Sequence, residues 1–151
     1  MTLPPHEVFI RESYALARRA AAQGNHPFGA LLVREGAVVL RAENTVNARH
    51  DCTCHAELNL VSQGQRELGA AVLQSCTLYT STEPCAMCSG AIAWARIPSV
   101  VYGCSAEGLG RISGETFVVP CREVLGRGGR PVAVTGPVLE EEGLAIHAAF
   151  W

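Results

Sequence analysis

Two short clusters in the 151-residue sequence carry side chains that can do chemistry: His55-Ala56-Glu57 and Pro84-Cys85-Ala86-Met87-Cys88. A Cys-x-x-Cys pair on the first turn of a helix aims two sulfurs at one ion, and a histidine from a second helix start supplies a third ligand. Three protein ligands leave a fourth tetrahedral position open, which distinguishes a catalytic zinc site from a closed structural one. A helix start also suits thiolates, because its free N–H groups and dipole stabilise negative charge. Glu57 lies two residues beyond His55, where its carboxylate can stand beside a zinc-activated water without binding the metal. A carboxylate so placed can take a proton from that water, pass it to a ring nitrogen and later deliver it to a leaving amine. The chemistry that needs this set is hydrolytic removal of an amine from an aromatic ring, with release of ammonia.

Each fragment alone says little. Their order, with each at a helix start and about thirty residues between them, is the H-x-E then P-C-x-x-C pattern of zinc-dependent base deamination. Two competing arrangements use the same cysteines. Cys52 and Cys54 could join Cys85 and Cys88 in a closed four-cysteine structural site. Cys-x-Cys is the poorer chelating spacing, however, and that site leaves His55 and Glu57 without a role. A thioredoxin-like redox pair at Cys85 and Cys88 has a strand before its helix, but the rest of the pattern points to metal. Cys76, Cys104 and Cys121 have no close Cys or His neighbour and read as small buried hydrophobes.

The elements that must position these clusters follow from periodicity. Pro4 and Pro5 open a helix to about Ala22, with Phe9, Leu16 and Ala20 on one face and Gly24 just past its end. Phe28 to Val33 reads as a buried strand, Glu35-Gly36 as a turn and Ala37 to Glu43 as the returning strand of a hairpin. Asn44 to Cys54 is polar and irregular, a loop. Glu57 to Glu67 has helical spacing, Cys76 to Ser81 reads as a strand, and a helix follows from about Cys85 to Arg96, stopped by Pro98. Ser99 to Gly103 is another short strand. The glycine-rich stretch 104–130 reads as loops around a short helical turn near Arg122 to Leu125. Pro131 to Val134 is a fifth strand, and Val138 to Phe150 a last helix with Glu140 to Glu142 in its first turns. Strands alternating with helices after an initial hairpin predict one α/β domain over 1–151, its first strand pair antiparallel and the later ones free to run parallel.

Composition narrows the partners. The formal net charge is −2, so the basic excess that accompanies nucleic-acid binding is missing in bulk. Arg11, Arg18 and Arg19 read as a solvated helix face. Met1 to Val8 shows no basic start followed by an apolar run, and no stretch reaches the length of a membrane helix, so a cytoplasmic protein is expected. Seven cysteines without a secretory leader then point to metal binding or burial rather than disulfides.

The residues also carry a family resemblance. Asn25-His26-Pro27-Phe28-Gly29-Ala30, Cys54-His55-Ala56-Glu57, the run Leu78 to Ile92 and Val100-Val101-Tyr102-Gly103 together resemble the cytidine deaminase-like superfamily, nearest its bacterial nucleoside and guanine deaminase-type members. The resemblance covers most of the chain. It implies a three-layer α/β/α sandwich around a five-stranded mixed sheet and a homodimer. It also implies one zinc per subunit on His55, Cys85 and Cys88, with Glu57 as proton shuttle. Asn44 is implied to hydrogen-bond the base near the Ala56 backbone, and Phe28 and Trp94 to stack on or enclose the ring. Core packing for Phe28 and Trp94, and a plain loop role for Asn44, are the alternatives. Where members of the family often carry Asp-Pro-Thr before the first motif, this chain has Asp51-Cys52-Thr53-Cys54, and Cys54 can line the pocket wall. Glu83 and the terminal Phe150-Trp151 are candidates to recognise and close over a guanine-like base, with docking on the protein's own surface as the alternative for the aromatic pair. The expected substrate is a small aminated base or nucleoside, guanine-like purines first and cytosine or cytidine next. Adenosine in transfer RNA and a non-catalytic zinc-stabilised binding module are the competing readings.

Overall fold

The computed structural model describes residues 4–151; residues 1–3, part of the segment read for a leader, lie outside the described residues. Five strands form one mixed sheet in the order β2-β1-β3-β4-β5. β1 (Gly29–Arg34) pairs antiparallel with both β2 (Ala37–Glu43) and β3 (Thr77–Thr82), whereas β4 (Ser99–Cys104) runs parallel to β3 and to the short β5 (Ala133–Thr135). The hairpin turns at Glu35 and Gly36, both with positive φ (52° and 78°), the backbone that lets a two-residue loop match the strand twist.

Alternation along the central strands divides the core in two. Ala30, Leu32, Leu78 and Val100 face a layer of α3 (Ala56–Glu67), α5 (Ala86–Ala95) and α7 (Cys121–Leu125), where Leu60, Val61, Ile92 and Leu125 meet them. Leu31, Val33, Tyr79 and Val101 face the other layer, built from α1 (His6–Ala22) and α8 (Glu140–Phe150) through Phe9, Ile10, Tyr14 and Ile146. Burying each such side chain contributes about 1.5–3 kcal/mol, so the period-two pattern of the strands fixes which helices lie on which face. The result is the three-layer α/β/α sandwich with a five-stranded mixed sheet. Gly29 lets α1 approach β1, since a Cβ there would stand 2.6 Å from the Ser13 carbonyl oxygen.

Three short helices escape the periodicity reading. α2 (Val46–Arg49) and α4 (Ala70–Leu73) are single turns within loops, and α6 (Ala106–Ser113) lies inside the glycine-rich stretch read as loop. α6 has ordinary helix punctuation all the same: the Ser105 hydroxyl accepts the Gly108 N–H at 3.0 Å, and Gly114 ends it with φ 82°. Gly108 is there for packing, because a Cβ would lie 3.0 Å from Leu144 Cδ2 of α8. Among the described residues no helix is long and apolar enough to cross a membrane.

Candidate metal centre and active site

The sheet brings the two motifs together by running β3 into the first turn of α5 beside the first turn of α3. His55 immediately precedes α3 with extended backbone (φ −68°, ψ 154°), and Cys85 immediately precedes α5 in the same way (φ −68°, ψ 174°), its sulfur accepting the Cys88 N–H at 3.5 Å. His55 Nδ1 lies 3.6 Å from Cys85 Sγ and 3.7 Å from Cys88 Sγ, and all three ligating atoms fall within 4.8 Å of one another. A tetrahedral zinc ion with Zn–S about 2.3 Å and Zn–N about 2.0–2.1 Å separates its nitrogen and sulfur ligands by about 3.6 Å. The donor set therefore fits zinc in type and in spacing.

Charge is distributed unevenly over the triad. The Cys85 thiol is pulled down to about 4, first by the hydrogen bond it receives from Cys88, then by those from His55 and the Cys88 amide. Cys88 is pushed up, because it donates to Cys85 and is buried. His55 is raised by its contact with the Cys85 sulfur. One thiolate, one thiol and a proton-hungry imidazole in mutual contact form a set whose shared protons a divalent cation displaces.

Glu57, on the first turn of α3, is only 5% exposed. Burial, and secondarily the Cys85 thiolate, push its carboxyl up to about 7, with His55 and Thr80 opposing. It belongs to neither sulfur nor imidazole and is poised to gain and lose a proton near neutral pH. Asn44 is buried at the end of β2; its Oδ1 accepts the Val46 N–H at 3.0 Å and its backbone N–H donates to the Phe28 carbonyl at 3.1 Å. Its side-chain NH2 has no partner among the described residues. Ala56 is fully buried as the first residue of α3, so its N–H is one of the amides a helix start leaves free.

Two of the expected base contacts are placed differently. Trp94 is 89% exposed, standing in an outer groove between α3 and α5 with Val61, Gln65, Arg66 and Ala91. It follows Cys88 by six residues, about 9 Å along the helix axis and on another face, so within this chain it neither reaches the metal ligands nor packs in the core. The Glu83 carboxylate is buried and committed: Oε1 accepts the Ala106 N–H at 3.1 Å and Oε2 the Cys121 N–H at 2.7 Å. It holds backbone, where a free base-reading carboxylate was expected. Phe28 is half-buried, packs against the core layer of α3 and α5, and lies 5.2 Å from the His147 ring.

Three residues at the site were given no site role by the sequence. Thr80 stands beside Glu57. His26 lies near His55, and its imidazole is held below the ordinary value first by burial and then by that neighbour. Its ring is 5.4 Å from that of Trp151 and 6.3 Å from that of Phe150, so the C-terminal aromatics dock on their own chain. His147 is buried between them and the sheet; Trp151 Nε1 donates to its Nδ1 at 3.1 Å. The ring's proton then sits on Nε2, which donates to Thr82 Oγ1 at 2.8 Å. Only His26 carried a local signal, its place beside Pro27-Phe28.

Comparison with known proteins agrees with this geometry. Residues 4–104 match the family model described as the cytidine and deoxycytidylate deaminase zinc-binding region. A probable cytosine deaminase of Schizosaccharomyces pombe is 38% identical over 151 residues, covering 95% of this chain and 90% of that protein. A guanine deaminase of Bacillus subtilis is 43% identical over 98 residues, 64% of this chain and 63% of that one. Transfer-RNA-specific adenosine deaminases also stand among the relatives. A solved guanine deaminase from Nitrosomonas europaea superposes with a TM-score of 0.85 over 99% of this chain and 86% of its own, at 23% identity, and so shares the fold.

Proposed function

The chain belongs to the cytidine and deoxycytidylate deaminase zinc-binding family, and from that premise we propose that it hydrolyses the exocyclic amine of a small aminated nucleobase or nucleoside, guanine-like purines first and cytosine or cytidine next. The single observation that carries the proposal is Glu57: a buried carboxyl, pushed up to about 7, beside three zinc-fitting ligands it does not join.

His55, Cys85 and Cys88 would hold zinc, which when bound supplies a Lewis acid that makes water nucleophilic near neutral pH. The residues of this chain do the rest. Glu57 takes one proton from water at its carboxylate and gives it to the ring nitrogen next to the amine-bearing carbon; it then takes the remaining proton of the hydroxyl added to that carbon and delivers it to the amine, which departs as ammonia. The unpartnered NH2 of Asn44 and the Ala56 N–H orient the ring by its acceptors. Phe28 and the Phe150-Trp151 end provide aromatic walls, with the His26 ring beside them, that limit the access of bulk water. Water and the aminated ring become a ring carbonyl and ammonia.

We take the enzyme to act in the cytoplasm as a homodimer on a small molecule. Zinc-loaded protein should release ammonia from at least one member of a panel of free bases and nucleosides, and Glu57→Gln should not. No release across guanine, cytosine, adenine, their nucleosides, pterins and triazines would overturn the reading. The transfer-RNA relatives favour one second reading, adenosine in RNA, which requires binding that weakens steeply with salt. The net charge of −2 gives it little support.

A further inference from the structure

Glu83 stands at a junction the metal chemistry leaves unexplained. It follows β3 and immediately precedes Pro84-Cys85, and its N–H donates to the Cys104 carbonyl at 2.8 Å, continuing the pairing of β3 with β4. Its carboxylate is 9% exposed as a residue and has no arginine or lysine partner among the described residues. The two N–H groups it accepts belong to Ala106 and Cys121, the first residues of α6 and α7. Helix starts leave such groups without internal partners. One buried carboxylate thus satisfies a donor on each helix and meets the positive ends of both dipoles. Between those two feet the chain makes an excursion, residues 105–120, from the end of β4 to the start of α7.

We propose that Glu83 is a positioning residue, clamping both feet of the 105–120 excursion to the strand end that carries Cys85 and thereby setting the wall of the substrate pocket. The mechanical path is continuous. The Ser105 N–H, next to the first foot, donates to Glu140 Oε2 of α8 at 2.9 Å, and Leu144 of α8 packs over Gly108 of α6. α8 ends in the His147 and Trp151 rings that lie against Phe28 and His26. A slack foot loosens α6, then α8, then the aromatic wall, while His55, Glu57, Cys85 and Cys88 remain held by α3 and α5. The effect on substrate rests on the deaminase reading; the clamp itself does not.

Glu83→Gln tests it, since glutamine keeps the size but offers one oxygen and turns an NH2 toward a backbone N–H. Hydrogen–deuterium exchange should quicken at the Ala106 or Cys121 amide by at least about tenfold, the scale of one lost charge-assisted hydrogen bond. Bound zinc should stay at one per chain, and KM should rise while kcat holds within about threefold, as expected when ground-state positioning is lost. Ala106→Pro provides an independent arm. It deletes one clamped N–H at a first helical position, where proline is well tolerated, and Ser105 is already extended (φ −72°, ψ 151°) as proline requires. A smaller KM rise is expected there, and if Glu83→Gln does not fold this variant alone decides. Parent-like exchange at both amides in Glu83→Gln, or a parent KM in the variants that fold, overturns the proposal, as does a fall in kcat accompanied by zinc loss. A parent enzyme without turnover on any base would overturn the function proposed above, and the exchange arm would still judge the clamp.

Discussion

His147 should make this protein lose stability in mild acid. Burial, at 2% exposure, pushes its imidazole down to about 4 from an ordinary 6.5. The neutral form is also the one its neighbours require, because Nδ1 accepts from Trp151. Above pH 6.5 neither the folded nor the unfolded chain protonates this ring, and its contribution is fully present. As pH falls below 6.5 the unfolded chain binds a proton that the folded chain refuses until about pH 4, so the contribution is lost across that window. At about 1.36 kcal/mol per unit, the loss reaches about 2 kcal/mol by pH 5 and about 3 kcal/mol when complete. The measurement is denaturant unfolding of zinc-loaded parent and His147→Gln at pH 7.5 and pH 5. Acid also weakens the metal ligands, but it does so in both proteins, so the difference between the two pH dependences isolates the ring. The parent should lose about 2 kcal/mol more than the variant. Equal losses would refute the assignment of His147 as a buried neutral imidazole.

Three further outcomes are expected. Glu57→Gln should lower kcat by about 10²–10⁴-fold, the usual worth of a general acid–base group, while zinc content and unfolding midpoint stay near the parent's. Dialysis against a chelator should remove one zinc per chain and all turnover. Zinc should restore the turnover of the parent, and a Cys88→Ala chain should fail to regain it; retention of full activity in the metal-free protein would contradict the triad. Gly103→Ala should destabilise by about 1–3 kcal/mol or more in denaturant titration, because a Cβ there would come within 2.6 Å of the Ser81 carbonyl and 2.7 Å of the Tyr14 ring.

What the sequence disclosed and what it hid divide along the range of the interactions. His55 with Glu57, and Cys85 with Cys88, sit on single helical turns, so spacing alone places each pair. The strands were legible because their two-residue alternation is set by the two helical layers they face. Trp94 misled because its aromatic type, without its rotation about α5, says nothing of which side it serves. Glu83 misled because a carboxylate beside a metal motif reads as a contact for the substrate base, whereas its partners are amides 23 and 38 residues later in the chain. His26 and His147 gain their roles only when the C-terminal helix docks against β4 and α6 and brings His147 to Thr82 at the end of β3. α6 was missed because Gly108 and Gly110 weaken its intrinsic propensity, even though Ser105 and Gly114 mark its ends.

The two tryptophans differ in their surroundings, Trp94 being 89% and Trp151 47% exposed, and that gives the molecule a built-in optical probe. Trp94, 89% exposed, emits as an indole in water and should be insensitive to events at the metal. Trp151, hydrogen-bonded to His147 and tilted against the His26 ring, sits beside the proposed pocket, where a bound heterocycle would alter its emission. Replacing Trp94 by Phe leaves a single indole at the proposed active-site wall, so ligand arrival and the fraying of the C-terminal turn become visible in stopped-flow fluorescence without any label.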